Sequence, residues 1–380
     1  MTTNQHPLNV LIVGGGVAGL EAALAVNELA GSRAAITMLS PETEFIYRPL
    51  EVREPFGESA AGHYPLDEIA REIGFELRQD AFRWLEPAEQ AVHTEAGDKL
   101  TYDAVLLALG AHARPAFRHA LTLDDRRLDE QLHGVIQDVE EGWIRKLAFI
   151  VPSQIPWPLP IYELALMTAR RAYDMNESIS VTIVTPEDAP LAIFGSAVSE
   201  AVEGLLEHHG ILTITSAHCE TPAEGEVTVH PGGRSLHVDR VIALPELFGP
   251  STPGVPKRDG HGFIPVDVHG RVPGLEGVFA AGDATAFPVK HGGLAAQQAD
   301  VAAESIAALA GAPVTPSKFN PVIQGVLLGG DRPLYMSAHI TGGHGSSSQV
   351  GQKPTWSPMA KITAKYLTPY LESREQARVR

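Results

Sequence analysis

The start of the chain alternates between short apolar runs and a helical pattern. Leu8–Val13 is an apolar run, and a turn that contains Gly14, Gly16 and Gly19 follows it directly. Apolar residues then recur at helical spacing, and a second apolar run covers Ala34–Leu39. Strand, glycine turn, helix and strand in this order predict a βαβ unit.

The same alternation continues through the rest of the chain. Predicted strands cover residues 102–109, 146–151, 179–185, 211–215, 240–244 and 278–281, and predicted helices cover residues 124–141, 160–173, 196–209 and 292–309. Strands that alternate with helices are typical of an α/β fold with parallel sheets. We therefore predict two Rossmann-like, three-layer domains and a C-terminal segment.

Breaks in this pattern divide the chain. We place boundaries after residues 115, 250 and 312, and residues 1–115 and 251–312 each contain a strand that ends in a glycine turn. Residues 116–250 form a second Rossmann-like domain, which is degenerate because its first turn lacks glycine. Residues 313–380 form a Pro-rich C-terminal segment that caps the domains or makes an interface.

The composition restricts the function classes. The formal net charge is −17, and so acidic a chain repels the phosphate backbone of nucleic acids. No apolar run has the length of a membrane-spanning helix, and the N-terminal residues have no signal-peptide pattern, so a cytoplasmic protein is expected. Cys219 is the one cysteine of the sequence, which excludes an internal disulfide.

The first turn has the spacing of a phosphate-binding loop. Gly14 permits the tight turn, Gly16 lets the backbone approach a pyrophosphate, and Gly19 lets helix and strand pack closely. The phosphate then lies at the helix N-terminus, where the unpaired N–H groups of Val17 and Ala18 favour an anion. The spacing therefore predicts a nucleotide.

The end of the second strand lacks the acidic residue that is expected to bind a ribose. Ser40 occupies this position, and Glu42 follows two residues later. Glu42 can substitute for the missing acid, and Ser40 can bind a ribose hydroxyl more weakly than a carboxylate would. Both residues are therefore candidate contacts of a ribose.

A second glycine turn ends the strand at residues 278–281. Gly282 allows a close approach, and Asp283 can accept hydrogen bonds from ligand hydroxyls. The following helix, which begins around Gly293 and Leu294, directs its N–H groups at whatever lies before it. Gly110 ends another apolar strand, at residues 102–109.

These three segments resemble the flavin-binding signatures of the pyridine nucleotide–disulfide oxidoreductase superfamily, in order and spacing over roughly residues 1–310. The resemblance implies that FAD is the cofactor and that residues 1–115 and 251–312 form its domain. It also implies that Asp283 binds the ribityl chain and that residues 293–295, which include Gly293 and Leu294, lie near O2 of the flavin pyrimidine. Residues 292–300 look like the membrane-associated branch of sulfide:quinone oxidoreductases and type II NADH dehydrogenases.

Two departures from that family change the expected chemistry. Sulfide oxidation in the resembling enzymes uses a pair of cysteines beside the flavin, whereas Cys219 stands alone and is expected to be a buried, small apolar residue. Where a nicotinamide-binding turn is expected, residues 152–160 contain four prolines and no glycine. A phosphate cradle of backbone N–H groups is hard to build from such a turn.

Three residues are candidates for the chemistry, and no metal is expected. Lys290 precedes the helix that is expected to face the pyrimidine, where a cation stabilises developing negative charge. Trp157 can stack on an aromatic substrate or on the flavin, or it can be a core residue. The resemblance implies that Pro49 lies near the flavin face, and Arg48 beside it can pair with a phosphate or an acidic substrate.

The C-terminal residues differ from the rest of the chain in charge. Residues 354–380 carry five basic and two acidic residues, and Met359, Ile362, Tyr366 and Tyr370 recur at helical spacing. A basic amphipathic helix of this kind suits an anionic membrane surface. The alternatives are a helix docked on the acidic body of the protein and a contact in a homodimer.

The leading hypothesis is an FAD-dependent oxidoreductase that passes hydride or electrons between the flavin and a small organic, quinone-like substrate without a redox disulfide. One alternative is an NAD(P)H-dependent quinone or dye reductase with an unconventional nicotinamide site. The other is a flavin-binding sensor or interaction protein that does not turn over. In each case any membrane contact is expected to be peripheral.

Overall fold

The computed structural model describes residues 6–58, 62–154, 157–330, 332–341, 344–356 and 360–379. Two parallel sheets, each accompanied by helices, dominate the described residues, and several small antiparallel sheets surround them. The predicted α/β fold with two Rossmann-like units is confirmed.

The first part of the chain supplies most of the first sheet. In chain order it contains β1 (Leu8–Val13), α1 (Val17–Ala30), β2 (Ala34–Leu39), β3 (Glu44–Tyr47), β4 (Gly62–Pro65), α2 (Leu66–Ile73), β5 (Glu76–Arg78), β6 (Phe82–Glu86), β7 (Ala91–Thr94), β8 (Lys99–Thr101) and β9 (Ala104–Leu107). Between β3 and β4, Arg48–Phe56 forms a run of 3-10 turns, called here the 3-10 segment.

The middle of the chain supplies the second sheet. It contains β10 (His112–Arg114), β11 (Leu121–Thr122), α3 (Leu128–Glu140), β12 (Lys146–Ile150), α4 (Leu159–Asp174), β13 (Ser180–Val184), α5 (Ser196–His208), β14 (Leu212–Ile214), β15 (His218–Ala223), β16 (Glu226–His230), β17 (Arg234–His237), β18 (Arg240–Ala243) and β19 (Glu246–Phe248). β10 precedes the strands of the second sheet in sequence, β19 follows them, and the two pair antiparallel.

The last part of the chain returns to the first sheet and then adds a C-terminal region. It contains β20 (Val278–Ala280), α6 (Gly292–Leu309), β21 (Val322–Leu327), β22 (Leu334–Thr341), β23 (His344–Gly351) and α7 (Leu367–Val379). The first sheet is therefore built from both ends of the predicted discontinuous domain. The exact domain boundaries stay a prediction.

The first sheet has the strand order β20-β9-β1-β2-β5, and its pairs are parallel. Val10 of β1 lies opposite Ile36 of β2 on one side and Ala104 of β9 on the other. β1 is buried from Val10 onward, as is typical of a parallel strand that is covered on both faces. Because β2 and β9 lie on opposite sides of β1, a ligand site is expected at the carboxyl ends of these strands.

Small side chains let α1 pack closely against α6. Ala22 and Ala23 of α1, together with Ala299, Ala302 and Ala303 of α6, are fully buried in one hydrophobic cluster. Because alanine keeps the distance between two helix axes short, the helices that follow the two glycine turns are held side by side. The two turns are thereby brought together.

The second sheet has the strand order β11-β18-β12-β13-β14, and its pairs are parallel. The acidic residues 124–141 were predicted to form a surface helix. α3 does form there, but Leu128, Leu132, Ile136 and Val139 of α3 are buried in the core. This apolar face packs near the 3-10 segment, so α3 links the second domain to a loop of the first.

The C-terminal region contains a three-stranded antiparallel sheet, β21-β22-β23, which was not predicted from the sequence. Met336 and Ala338 of β22 are buried, whereas Tyr335 and Ser337 are half-buried. This alternation is a strand signal, but the surrounding glycines and serines weaken it.

The C-terminal helix begins later than its sequence spacing suggested. α7 begins at Leu367, so Ile362 and Tyr366 precede it, and Met359 lies outside the described residues. Ile362 and Leu367 are buried in the same cluster as α1 and α6. The helical spacing that was predicted from residue 359 is therefore wrong for residues 360–366, which form bends and irregular backbone before α7 begins.

In the structure, the C-terminal helix α7 is docked on the body of the protein. The guanidinium of Arg374 in α7 pairs with Glu68 and Glu72 of α2, and Tyr370 donates a hydrogen bond to Glu72. The basic charge of α7 thus meets acidic residues of the first domain. No helix in the described part of the chain is long and apolar enough to cross a membrane.

Candidate active site

A cavity of about 540 Å³ lies where the two glycine turns meet. Its wall includes most of the site residues predicted from the sequence, namely Gly14, Gly16, Val17, Ala18, Glu42, Arg48, Pro49, Gly110, Trp157, Gly282, Asp283 and Lys290. The others, Gly19, Ser40, Gly293 and Leu294, are not part of the wall. Residues that are far apart in sequence thus form one site at the carboxyl ends of β1, β9 and β20.

Each of the three glycines of the first turn is required for a different structural reason. Gly14 has a φ of +112°, and a Cβ there would lie 2.2 Å from the carbonyl oxygen of Ala108. A Cβ at Gly19 would lie 1.9 Å from the carbonyl oxygen of Gly14, so Gly19 permits the packing of α1 on the turn. A Cβ at Gly16 would meet nothing within 4 Å, because Gly16 faces the cavity. α1 begins there without a side-chain cap.

The two candidate ribose contacts have separate places. Ser40 is fully buried, and its hydroxyl donates a hydrogen bond to Oε2 of Glu42 at 3.2 Å. Glu42 lines the cavity, and its Oε1 lies 3.8 Å from the guanidinium of Arg126. Glu42 is therefore the residue placed to meet a ligand, while Ser40 holds the carboxylate from behind. Direct contact of Ser40 with a ribose stays a prediction.

The distal turn is fixed by a glutamine that was not predicted from the sequence. Gly282, with a φ of +77°, donates its N–H to Oε1 of Gln298 at 2.8 Å. Thr285 donates its hydroxyl to the same oxygen at 3.1 Å. These bonds position Asp283 in the cavity wall. Burial raises the pKa of Asp283 to about 6, so the carboxylate is ionised at neutral pH and can accept hydrogen bonds from hydroxyls.

The start of α6 brings one of the three predicted residues, Ala295, to the cavity wall. Gly293 and Leu294 are buried on the protein side of the helix, whereas Gly292 and Ala295 line the cavity. The rotation of the helix accounts for the difference, because neighbouring residues point in directions about 100° apart. α6 begins without a side-chain cap, so its first N–H groups are available to a ligand.

Lys290 is a buried cation in the wall. Its ammonium donates a hydrogen bond to the carbonyl of Thr285 and lies 3.8 Å from the ring centre of Phe263. Burial lowers the pKa of Lys290 to about 8, and the carboxylate of Asp283 acts in the opposite direction. At neutral pH most of the lysine is therefore charged, and the charge is lost as the pH rises through about 8.

Replacement of Lys290 is expected to change the potential of the flavin that the sequence resemblance implies. In Lys290→Met the cation is lost, so the reduced flavin, which carries negative charge, is less stabilised. The two-electron midpoint potential of the flavin then falls by about 30 mV for each ~1.4 kcal/mol of this lost stabilisation. The charge-retaining Lys290→Arg variant is the control. Equilibration with redox dyes measures the potentials, and the gap between wild type and Lys290→Met should narrow as the pH rises through about 8. Equal potentials at neutral pH would remove Lys290 from this role.

Trp157 lies in the cavity wall and also packs on the protein. Its ring centre is 4.6 Å from that of His291 and 5.8 Å from that of Phe194. Burial lowers the pKa of His291 to about 4, so this imidazole is neutral at physiological pH. Trp157 and His291 thus form an uncharged aromatic part of the wall, which suits a flat ligand.

An ion pair in the wall was not predicted from the sequence. Nζ of Lys361 lies 2.8 Å from Oε2 of Glu163 and donates to the carbonyl oxygen of Pro49 at 2.9 Å. The side chains of Lys361 and Glu163 are 9% and 1% exposed. Burial raises the pKa of Glu163, and Lys361 opposes this. A lone acid in the apolar first half of α4 was the signal that could have identified Glu163.

In the described residues of the second sheet, the first turn and the acid after β13 differ from a typical nicotinamide-nucleotide site. α4 begins directly after Pro158, and no glycine precedes it in the turn, of which residues 155–156 lie outside the described part. Glu187, after β13, has the place of a ribose-binding acid but is buried. Its carboxylate accepts hydrogen bonds from Tyr162 at 2.7 Å and Thr185 at 3.0 Å. These bonds occupy the acid that a nucleotide would need.

Cys219 lies on β15 and is not part of the cavity wall. It is half-buried beside a small hydrophobic cluster, and burial raises the pKa of its thiol to about 12. A thiol with so high a pKa is a poor nucleophile at neutral pH. Within the described ranges, no group of three or more His, Cys, Asp or Glu residues could hold a metal ion.

The sequence matches a family model described as pyridine nucleotide-disulphide oxidoreductase over residues 8–140 and 162–305, which is more than half of the chain. The chain therefore belongs to this family and is an oxidoreductase. The fold and the pair of glycine turns agree with that membership.

Several solved structures have the same fold. The sulfide:quinone oxidoreductase of the hyperthermophilic bacterium Aquifex aeolicus is 18% identical, with a TM-score of 0.79 over 91% of this chain and 87% of its own. A ferredoxin reductase of Rhodopseudomonas palustris is 19% identical, with a TM-score of 0.68 over 88% and 83%. An NAD-dependent persulfide reductase of A. fulgidus is also 19% identical, with a TM-score of 0.63 over 88% and 64%.

Proposed function

We propose that this oxidoreductase binds FAD in the cavity and passes hydride or electrons between the flavin and a small organic, quinone-like molecule, without a redox disulfide. The observation that carries the proposal is the convergence of two glycine turns, Asp283 and Lys290 on one cavity whose wall contains no cysteine among the described residues. A quinone is also the acceptor in the name of the sulfide:quinone oxidoreductase with the similar fold.

The wall has the groups that FAD requires. The open side of Gly16 and the uncapped start of α1 suit the pyrophosphate. Glu42 is placed for the adenosine ribose, and Asp283 for the hydroxyls of the ribityl chain. The uncapped start of α6 suits the polar edge of the isoalloxazine. We assign these residues to FAD binding on this basis.

The protein residues then have defined roles. When bound, FAD supplies the hydride and electron chemistry. Lys290 contributes a positive charge that favours negative charge on the ligand beside it. The ammonium of Lys361 fixes the carbonyl of Pro49, so the start of the 3-10 segment keeps its position against the cavity. Trp157 and His291 form a flat wall that a planar substrate can contact.

An NAD(P)H-dependent reductase is the second candidate, because one structure of similar fold is NAD-dependent by its name. The hydrogen bonds of Glu187 to Tyr162 and Thr185 argue against the usual nicotinamide site. We therefore place this function second. It requires that the nicotinamide reach the flavin without the nucleotide cradle of the second domain.

Anaerobic mixing distinguishes these functions. The flavin-loaded protein is first titrated with NADH and then with NADPH, and the visible flavin absorbance is expected to stay unchanged. The flavin is next reduced by light, and 1,4-naphthoquinone is added. We expect the absorbance to return with a rate that saturates in quinone concentration, because the quinone binds before it reacts.

Each of the remaining outcomes would indicate a different function. Rapid bleaching by NADH or NADPH would contradict the order of the two candidates and place the reductase first. A flavin that reacts with neither nicotinamides nor quinones would contradict both and indicate a flavin-binding sensor. Free FAD, reduced in the same way, is the control, because its rate is proportional to quinone concentration and does not saturate.

A further inference from the structure

Glu51 has a buried carboxyl oxygen without a partner. This residue of the 3-10 segment is 8% exposed and lines the cavity. Its Oε1 accepts a hydrogen bond from Arg48 at 3.3 Å, whereas its Oε2 is buried and has no hydrogen-bond partner. An unpaired buried polar atom is costly, so such an atom in a ligand cavity marks a position where a ligand completes the hydrogen bond.

The surroundings favour the neutral form of this carboxyl. The guanidinium of Arg48 is shared with the carbonyl oxygen of Asp125, at 3.2 Å. The other charged groups that act on Glu51 are the carboxylates of Asp124, Asp125 and Glu54. Burial and these acids raise the pKa of Glu51 to about 8, although Arg48 acts in the opposite direction. At neutral pH Oε2 is therefore available as an O–H donor.

Apolar side chains of two parts of the chain line the cavity together with Glu51. Val52 follows it in the 3-10 segment, and Leu123 and Leu128 approach from the second domain; all three line the same cavity and belong to one hydrophobic cluster. Because Arg48 is already engaged, this part of the wall offers one hydrogen-bond donor within apolar surface. Arg126 also lines the cavity, and its guanidinium faces Glu42 at 3.8 Å.

We propose that the carboxylic acid of Glu51 donates a hydrogen bond to a carbonyl oxygen of an uncharged, flat organic substrate whose ring packs on Val52, Leu123 and Leu128. This assignment rests on the proposed function, since it names the substrate contact of the same site. It selects carbonyl compounds such as quinones over hydrocarbons of equal shape. It also disfavours anions such as hydrosulfide, which the surrounding carboxylates repel.

Binding of two matched probes tests this contact without turnover. The oxidised, flavin-loaded protein is titrated calorimetrically with 1,4-naphthoquinone and with naphthalene, which has the same ring shape but no carbonyl. Wild type should bind the quinone about tenfold more tightly, as one hydrogen bond implies. Glu51→Leu should bind both probes equally. Glu51→Gln should keep the preference, because its amide N–H can donate.

The pH dependence gives a second readout. In wild type the affinity for naphthoquinone should fall about tenfold between about pH 7 and about pH 10, because the donor loses its proton. The affinity of Glu51→Gln should not change over that range. Glu54→Gln is the matched control, since Glu54 lies in the same segment but not in the cavity wall. It should keep the preference for naphthoquinone, and the fall in affinity should move to lower pH, because Glu54 is one of the acids that raise the pKa of Glu51.

Two results would overturn the proposal. One is a Glu51→Leu protein with full flavin content and an unchanged preference for naphthoquinone. The other is loss of flavin from both Glu51 variants, which would assign the acid to the cofactor. Failure of the proposed function is separate, because it would show as naphthoquinone that binds through Glu51 but does not reoxidise the reduced flavin.

Discussion

The Gly16→Val variant is expected to lose FAD while it keeps its fold. Gly16 has a φ of −82°, which valine adopts without strain, and a Cβ there meets no protein atom within 4 Å. The new side chain therefore occupies only the space where the pyrophosphate would approach α1. Overpacking at such a contact costs about 3 kcal/mol, so the affinity for FAD should fall about 100-fold.

Flavin fluorescence quenching measures this affinity, and circular dichroism checks the fold. The control is Gly204→Val on α5, where a Cβ also meets nothing within 4 Å and which is not part of the cavity wall. Gly14 would be a poor choice, because a side chain there collides with the carbonyl of Ala108 and the backbone itself. A Gly16→Val protein that binds FAD as tightly as wild type would show that this turn does not hold the phosphate.

The Lys361→Met variant is expected to lose about 3–5 kcal/mol of unfolding free energy at about pH 8. Lys361 is the cation that compensates the buried carboxylate of Glu163. Without it, the pKa of Glu163, already raised by burial, rises further above its value near 4.3 in the unfolded chain. The folded protein then binds a proton more tightly than the unfolded chain does, so stability decreases as the pH rises from the unfolded pKa through the folded one.

Urea unfolding at about pH 5 and about pH 8, with saturating FAD, measures this loss. The loss should be smaller at the lower pH, because protonated Glu163 needs no counter-charge. The double variant Glu163→Gln/Lys361→Met should recover most of the stability, since glutamine still accepts the N–H of Leu328. If the loss at about pH 5 equals that at about pH 8, the buried pair does not explain the stability of this region.

The parts of the fold with local signals could be predicted from the sequence. The apolar run Leu8–Val13 and the glycine spacing after it depend on residues within one βαβ unit, and they identified β1, α1 and β2 with nearly the observed bounds. The Gly282–Asp283 turn is equally local. Both turns need glycine for their backbone conformation, so the sequence alone indicates where a ligand can approach the backbone.

The remaining parts depend on contacts between distant residues. Lys361 lies 198 residues from Glu163, and neither residue has a neighbour in sequence that indicates the pair. The unpartnered oxygen of Glu51 belongs to the 3-10 segment, which packs near α3, and no periodicity in the sequence indicates this contact. The burial of Ser40 behind Glu42 is likewise a tertiary property, which its position in the sequence does not indicate.

The identity and amount of the nucleotide bound to the purified wild-type protein test most directly the central claim, which is that the cavity binds FAD. The nucleotide is released by denaturation, identified by chromatography and compared with the amount of protein. We predict a yellow protein that releases about one FAD per chain, as expected for one cavity lined by both glycine turns. A colourless protein that takes up no added FAD would contradict the account.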